Sequence, residues 1–306
     1  MAYSPSQKLR SNAPRRNASR GNGAVSDREV AYSWVRSLIA SARKSHWAKQ
    51  HIQDFQLGLT AFYKTTPYAV GIKEDTQAGK RIYYVTKADG VPDPLTAIAA
   101  DVIQNLRSPL DQVAHQLVLA ACGGTEPKGK VYYPICGSAA YYPSARGGIA
   151  KHVRQEVIDA IDATEPYKGG KGHALWQLNE LNNPDKHHLL VGAGAFYYGV
   201  DIAPTLKAGF RSMMEEMGRP PEAIADIDNW LKPIILRPAD KLFTLNVGDE
   251  LYIEPIDHEV AQDRRFSFDV SFNAPGVVEC EPALKTIHDI TNLVDKVVAT
   301  LCRFLP

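Results

Sequence analysis

Residues 95–121 read LTAIAADVIQNLRSPLDQVAHQLVLAA. Leu95, Ile98, Val102, Leu106, Leu110, Val113, Leu117 and Ala121 recur every three or four positions, which predicts an amphipathic helix of about seven turns. No other stretch has so strong a period, so the fold should be organised around this helix. Pro109 lies inside it. A mid-helix proline deletes one hydrogen bond and crowds the preceding turn, which predicts a kink beside Arg107 and Asp111.

Upstream, Ser26-Asp27-Arg28-Glu29 is a capping box. From there Ala31, Val35, Leu38, Ala42, Phe55, Leu59 and Phe62 keep helical spacing, and Pro67 ends the helix. Tyr68 to Lys73 and Arg81 to Thr86 then flank a polar turn with Gly79 and predict a hairpin. Downstream, Gly123 to Gly148 is rich in Gly, Pro, Ser and Tyr and reads as a long loop with the length of a lid and one short extended piece, Val131 to Ile135. A helix is expected over Ile149 to Ala163. Another follows through Leu175, Leu178 and Leu181, breaking at Asn182-Asn183-Pro184, where Asn183 as N-cap and Pro184 at the first position start a short new helix.

Residues 191–240 show no clear period. Beyond them Phe243, Leu245 and Val247, then Leu251 and Ile253, then Phe266, Phe268, Val270 and Phe272 alternate, which predicts an antiparallel meander. Leu284, Ile287, Val294, Val297, Val298 and Leu301 mark a closing helix. The expected class is α+β. A basic tail, 1–25, precedes one interleaved domain, 26–306, in which four or five helices (26–190 and 282–305) form a bundle with the β-rich segment, 191–275, at one side.

Lys8, Arg10, Arg15, Arg16 and Arg20 put five positive charges and no acid into the first 23 residues, so the formal +1 of the whole chain becomes −4 for the rest. A mildly acidic body lacks the clustered Lys and Arg of a broad nucleic-acid groove. The tail has no apolar stretch of a secretory signal, and the longest uncharged run, Leu189 to Val200, is too short to span a membrane. Cys122, Cys136, Cys280 and Cys302 are widely spaced, which fits a reducing, cytoplasmic setting and gives no Cys-based zinc pattern. No phosphate-binding Gly-Lys-Ser/Thr loop, dinucleotide glycine fingerprint or Gly-x-Ser-x-Gly elbow occurs, so no cofactor is expected.

Two polar clusters remain as candidate chemistry. At 100° per residue Arg107 falls at the edge of the apolar arc and should be part-buried, Asp111 lies one turn on and can pair with it, and His115 follows towards solvent. A part-buried Arg needs a carboxylate or carbonyls. The second cluster is Asp185-Lys186-His187-His188, with Asp185 and His188 three apart on one helical face.

Asn105-Leu106-Arg107-Ser108-Pro109-Leu110-Asp111, Tyr133-Pro134-Ile135, Leu175-Trp176-Gln177-Leu178 and Asp185-Lys186-His187-His188-Leu189-Leu190 together resemble the signature of a group of bacterial proteins without an assigned activity. That group is in turn loosely similar to the HEPN helical-bundle proteins, many of them ribonucleases that use an Arg followed a few residues later by a His. The resemblance implies a helical bundle and RNA as a substrate class. Here the corresponding position holds Gln112, which cannot act as a general base, and His188 stands where the group has an Arg.

Three readings follow. The default is a non-catalytic binding or structural module whose clusters lock the bundle. A second is metal-independent RNA cleavage, with Arg107 on the phosphate and His115, His187 or His188 as acid and base. A third is a metal site built from Asp111, His115, Asp185 and His188. RNA, a protein partner and a second copy of the chain are the partners the sequence leaves open.

Overall fold

The computed structural model describes residues 27–183, 193–220, 222, 232–237, 244–256, 264–278 and 280–306, with backbone only for 27–43, 45 and 46. In chain order the elements are α1 (Asp27–Lys64), β1 (Tyr68–Asp75), β2 (Lys80–Ala88), α2 (Asp93–Ala121), α3 (Tyr142–Ala150), α4 (Gln155–Asp162), α5 (His173–Leu181), β3 (Ala193–Asp201), α6 (Ala203–Glu216), β4 (Ile235–Leu236), β5 (Glu250–Pro255), β6 (Arg265–Phe272) and α7 (Ala283–Cys302). The class is α+β, with antiparallel sheets. Among the described residues no helix is long and apolar enough to cross a membrane.

α2 is the axis of the molecule. Its predicted stripe is buried along its whole length, from Leu95 through Val102, Leu106, Leu110 and Val113 to Leu117. Fully burying each such side chain is worth about 1.5–3 kcal/mol. α1 lies along α2 through Phe55, Leu59 and Phe62, and Lys44 donates a hydrogen bond to Ser108 Oγ at 2.9 Å. α7 packs against α2 on another side with Ile287, Ile290, Val294 and Val297, and also touches α1, α4 and α5. The helix runs unbroken through Pro109, which is itself buried between the apolar rows of Leu106 and Leu110.

Several expected elements are redrawn. The helix expected over Ile149 to Ala163 is two, because the chain turns at 151–154 between α3 and α4. α3 begins at Tyr142, inside the stretch read as loop, and Val131 to Ile135 forms no strand. Residues 191–240, which showed no period, hold β3, α6 and β4. Nor is there a single meander, since β5 joins the hairpin in the order β1-β2-β5 while β6 pairs with β3 in the order β4-β3-β6. Antiparallel edges accept any strand whose apolar alternation matches, so alternation identifies a strand without naming its neighbour.

The segment expected as the first meander strand stitches the two sheets instead. Leu245 N–H donates to the Ala195 carbonyl of β3 at 3.0 Å, and three residues later Gly248 N–H and the Asp249 carbonyl pair with Val85 of β2 at 2.8 and 2.9 Å. Aromatic rings fill the seam, with Tyr83 against Phe266 and Tyr68 against Phe268 at centroid distances of 5.3 and 5.2 Å. A buried charge cluster crosses it as well. Glu254 of β5 accepts from Tyr83 Oη at 2.7 Å and Arg81 Nη1 at 3.2 Å, and also pairs with Arg264 at the foot of β6.

Gly172, just before α5, approaches the turn after α4 so closely that a Cβ would lie 2.5 Å from the Thr164 carbonyl oxygen and 3.0 Å from Pro166 Cα. Backbone atoms cannot swing aside as a flexible side chain would. Gly172→Ala is therefore expected to lower the stability measured by urea unfolding by about 1–3 kcal/mol. An unchanged midpoint would show that α5 can slide away from this turn at no cost.

Candidate functional site

The first polar cluster forms, and its partner is the main chain of one residue. Arg107 and Asp111, one turn apart on α2, meet with Nη1 to Oδ1 at 2.7 Å. This is a charge contact more than an aligned hydrogen bond, because Nη1 has no acceptor in good hydrogen-bond geometry. Both side chains instead bond the main chain of Tyr133: Asp111 Oδ1 accepts from its N–H at 2.9 Å, and Arg107 Nη2 donates to its carbonyl at 3.4 Å. Two side chains one turn apart thus clamp one residue of the loop between α2 and α3 by both backbone groups. The stretch that read as a lid is pinned at its middle.

Burial sets the electrostatics. Arg107 is only 8% exposed, and desolvation lowers the proton affinity of its guanidinium against the opposing pull of Asp111. Desolvation likewise pushes the Asp111 carboxyl above its ordinary value, while Arg107 and the Tyr133 N–H work the other way. Both charges pay for leaving water, and each makes the other tolerable.

The Tyr133 side chain carries the tie onward. Its ring is buried, and its hydroxyl lies 2.8 Å from Thr164 Oγ1. Thr164 gives its own proton to the Ile161 carbonyl at 2.6 Å, so Tyr133 is the donor of that pair. Burial pushes the Tyr133 phenol up to about 12. Beside it Tyr142 Oη donates to Asp162 at 2.8 Å, and Arg146 pairs with the same carboxylate. Burial first, and the hydrogen bond to Asp162 second, hold the Tyr142 proton on.

His115 does not join this group. Its Nε2 faces Glu126 Oε2 at 3.1 Å, in a partly exposed position on the loop side of α2. Asp185, Lys186, His187 and His188 lie outside the described residues. Among the described residues no group of three or more His, Cys, Asp and Glu side chains is gathered as for a metal ion.

A further buried polar group escaped the sequence reading. Tyr63, at the end of α1, donates to Asp269 Oδ1 of β6 at 2.9 Å. Burial raises the proton affinity of both, and of Tyr68 and Tyr197 nearby, whose hydroxyls have no hydrogen-bond partner. Asp269 sits between Phe268 and Val270 in an alternating strand and looks like its solvent-facing member. Its burial is a tertiary effect, with Tyr63 from the end of α1 bonded to it.

No family model matches this chain, and no curated protein or solved structure matches it either.

Removing Asp111 leaves Arg107 buried beside an unsatisfied Tyr133 N–H. Asp111→Ala should cost about 3 kcal/mol in denaturant unfolding. Asp111→Asn, which keeps an acceptor for Tyr133, should cost less, and the double change Arg107→Met with Asp111→Leu should recover part of the loss. Equal losses for Ala and Asn would show that the Tyr133 hydrogen bond contributes nothing.

Tyr133 also makes stability depend on alkaline pH. An unfolded phenol titrates near 10.0 and the folded one near 12, so its contribution is complete below pH 10 and is lost as pH rises towards 12, where the unfolded chain releases the proton first. Tyr133→Phe is expected to flatten that part of the melting-temperature profile. At neutral pH it should cost about 1 kcal/mol for the missing hydrogen bond to Thr164.

Proposed function

We propose that this chain is a non-catalytic binding or structural module in which Arg107 and Asp111 hold a loop in place. The observation that carries the reading is the clamp on Tyr133, because it engages Arg107, which the RNA-cleaving reading would need free, and Asp111, which the metal-binding reading would. An arginine that stabilises charge on a phosphate must aim its donors at substrate. Arg107 aims one at the Tyr133 carbonyl and lies against Asp111 with the other. Asp111, a ligand in the metal reading, is engaged by Tyr133 and Arg107.

The helices α1, α2, α4, α5 and α7, which share one apolar cluster, are read as the bundle that the motifs around Arg107 imply. The binding half of the proposal is supported by α6. Leu206, Phe210, Met213 and Met217 recur at helical spacing on its outward side and are 38%, 38%, 46% and 62% exposed. Contiguous apolar surface of this kind marks contact sites more often than chance exposure does.

The test is incubation of purified protein with a mixed pool of structured and single-stranded RNA, with and without chelator, beside Asp111→Ala and His115→Ala. Intact RNA throughout, with a lowered melting temperature for Asp111→Ala alone, is the expected result. Chelator-resistant cutting that disappears in His115→Ala would sink the proposal in favour of a HEPN-like nuclease.

A further inference from the structure

Away from the clamp, α2 ends at Cys122, whose place is fixed by the backbone bonds that close the helix: Cys122 N–H to the Val118 carbonyl, Gly123 N–H to Ala120 and Gly124 N–H to Leu119. Gly123 and Gly124 both take positive φ, 62° and 82°, and turn the chain off the helix. Across from it His152 sits in the turn between α3 and α4, held by its N–H to the Ile149 carbonyl. Cys122 Sγ and His152 Nδ1 lie 3.8 Å apart, within hydrogen-bond reach for sulfur, and both residues are part-buried. The chain neighbours of the pair, Ala121 and Val153, line a groove of about 400 Å³ with an apolar floor that includes Leu117 and Val157, and Arg154 and Arg303 stand on its walls.

We propose that Cys122 and His152 form a thiol-exchange site that takes small anionic disulfides, with the carboxylates of the incoming molecule held by Arg154 and Arg303. The site is separate from the clamp and does not depend on the function proposed above. In the exchange His152 Nδ1 takes the Cys122 thiol proton as the sulfur attacks one sulfur of the disulfide. The Cys122–sulfur bond forms while the original S–S bond breaks, and the departing sulfur leaves with the bonding pair and receives the proton from His152. Cys122 ends oxidised to the disulfide level, and the leaving group is reduced to a thiol. The geometry distinguishes Cys122 from other cysteines of the chain. Cys136 gives its S–H to the Ser138 carbonyl at 3.1 Å, and burial holds the proton on Cys302.

The experiment exposes the full-length protein to oxidised glutathione, an acidic disulfide, and in parallel to cystamine, a cationic one, and follows intact mass and peptide maps with time. The expected outcome is one adduct, on Cys122, formed faster with glutathione disulfide than with cystamine. His152→Gln should slow it at least about tenfold, the lower range for loss of a positioned base. The paired change Arg154→Ala with Arg303→Ala should remove the preference for the acidic disulfide, slowing the glutathione disulfide reaction to no more than the cystamine rate. Mapping on the unaltered protein needs no variant to fold, and first labelling at Cys136, Cys280 or Cys302 would overturn the assignment. So would an undiminished rate in His152→Gln with native circular dichroism. Equal rates for the two disulfides in the unaltered protein would overturn the anionic preference.

Discussion

A residue whose backbone is taken out of water must have both its N–H and its carbonyl paired, and Tyr133 meets that constraint without belonging to any helix or strand. Its N–H goes to Asp111 of α2, and its carbonyl accepts from Ile135 N–H at 2.9 Å and from Arg107 of α2 at 3.4 Å. A helix presents positions one turn apart on one face, and a carboxylate and a guanidinium there can offer an acceptor and a donor to one residue, as a neighbouring strand would. With both backbone groups satisfied, the Tyr133 ring can enter the core and pass a hydrogen bond to the turn after α4. The long connection from α2 to α3 is thereby fixed to α2 at its middle, and the positions of α3 and α4 follow from it.

The second dependence is the seam between the sheets. Among the described residues each has three strands and an apolar side that would be exposed alone. Segment 245–249 bonds to β3 and β2 in turn, and the rings of Tyr68, Tyr83, Phe266 and Phe268 close the gap. Glu254 gathers Arg81, Arg264 and Tyr83, so a carboxylate on one sheet neutralises an arginine at the start of a strand of the other. Ion pairs of this kind contribute little net stability but specify register, because any slip strands a charge.

Chemical function and structural service draw on the same residue types, and Arg107 illustrates how geometry separates them. An arginine beside an aspartate on a mostly apolar helix reads from sequence as a catalytic strip or as a tie. The outcome turns on where the remaining donors and acceptors point, and here they point at protein backbone. The cysteine and histidine at the far end of the same helix meet beside a groove that their chain neighbours line. Catalytic candidates are better sought where polar groups meet open space than where they meet each other.

The sequence by itself determined the elements whose burial is one-sided: α2 and α7 through their 3.6-residue period, the β1–β2 hairpin through alternation around Gly79, and the nearness of Asp111 to Arg107, which one helical turn enforces. Tertiary structure decided the rest. β3 is buried on both faces over most of its length, so no alternation marks it. Pro204 and Gly209 weaken the local helical signal of α6. The meander dissolved because strand partners are chosen by distant packing. Tyr133 lies 22 residues from Asp111, and what is recognised there is its backbone, which is the same chemistry at almost every position and leaves no mark on the sequence.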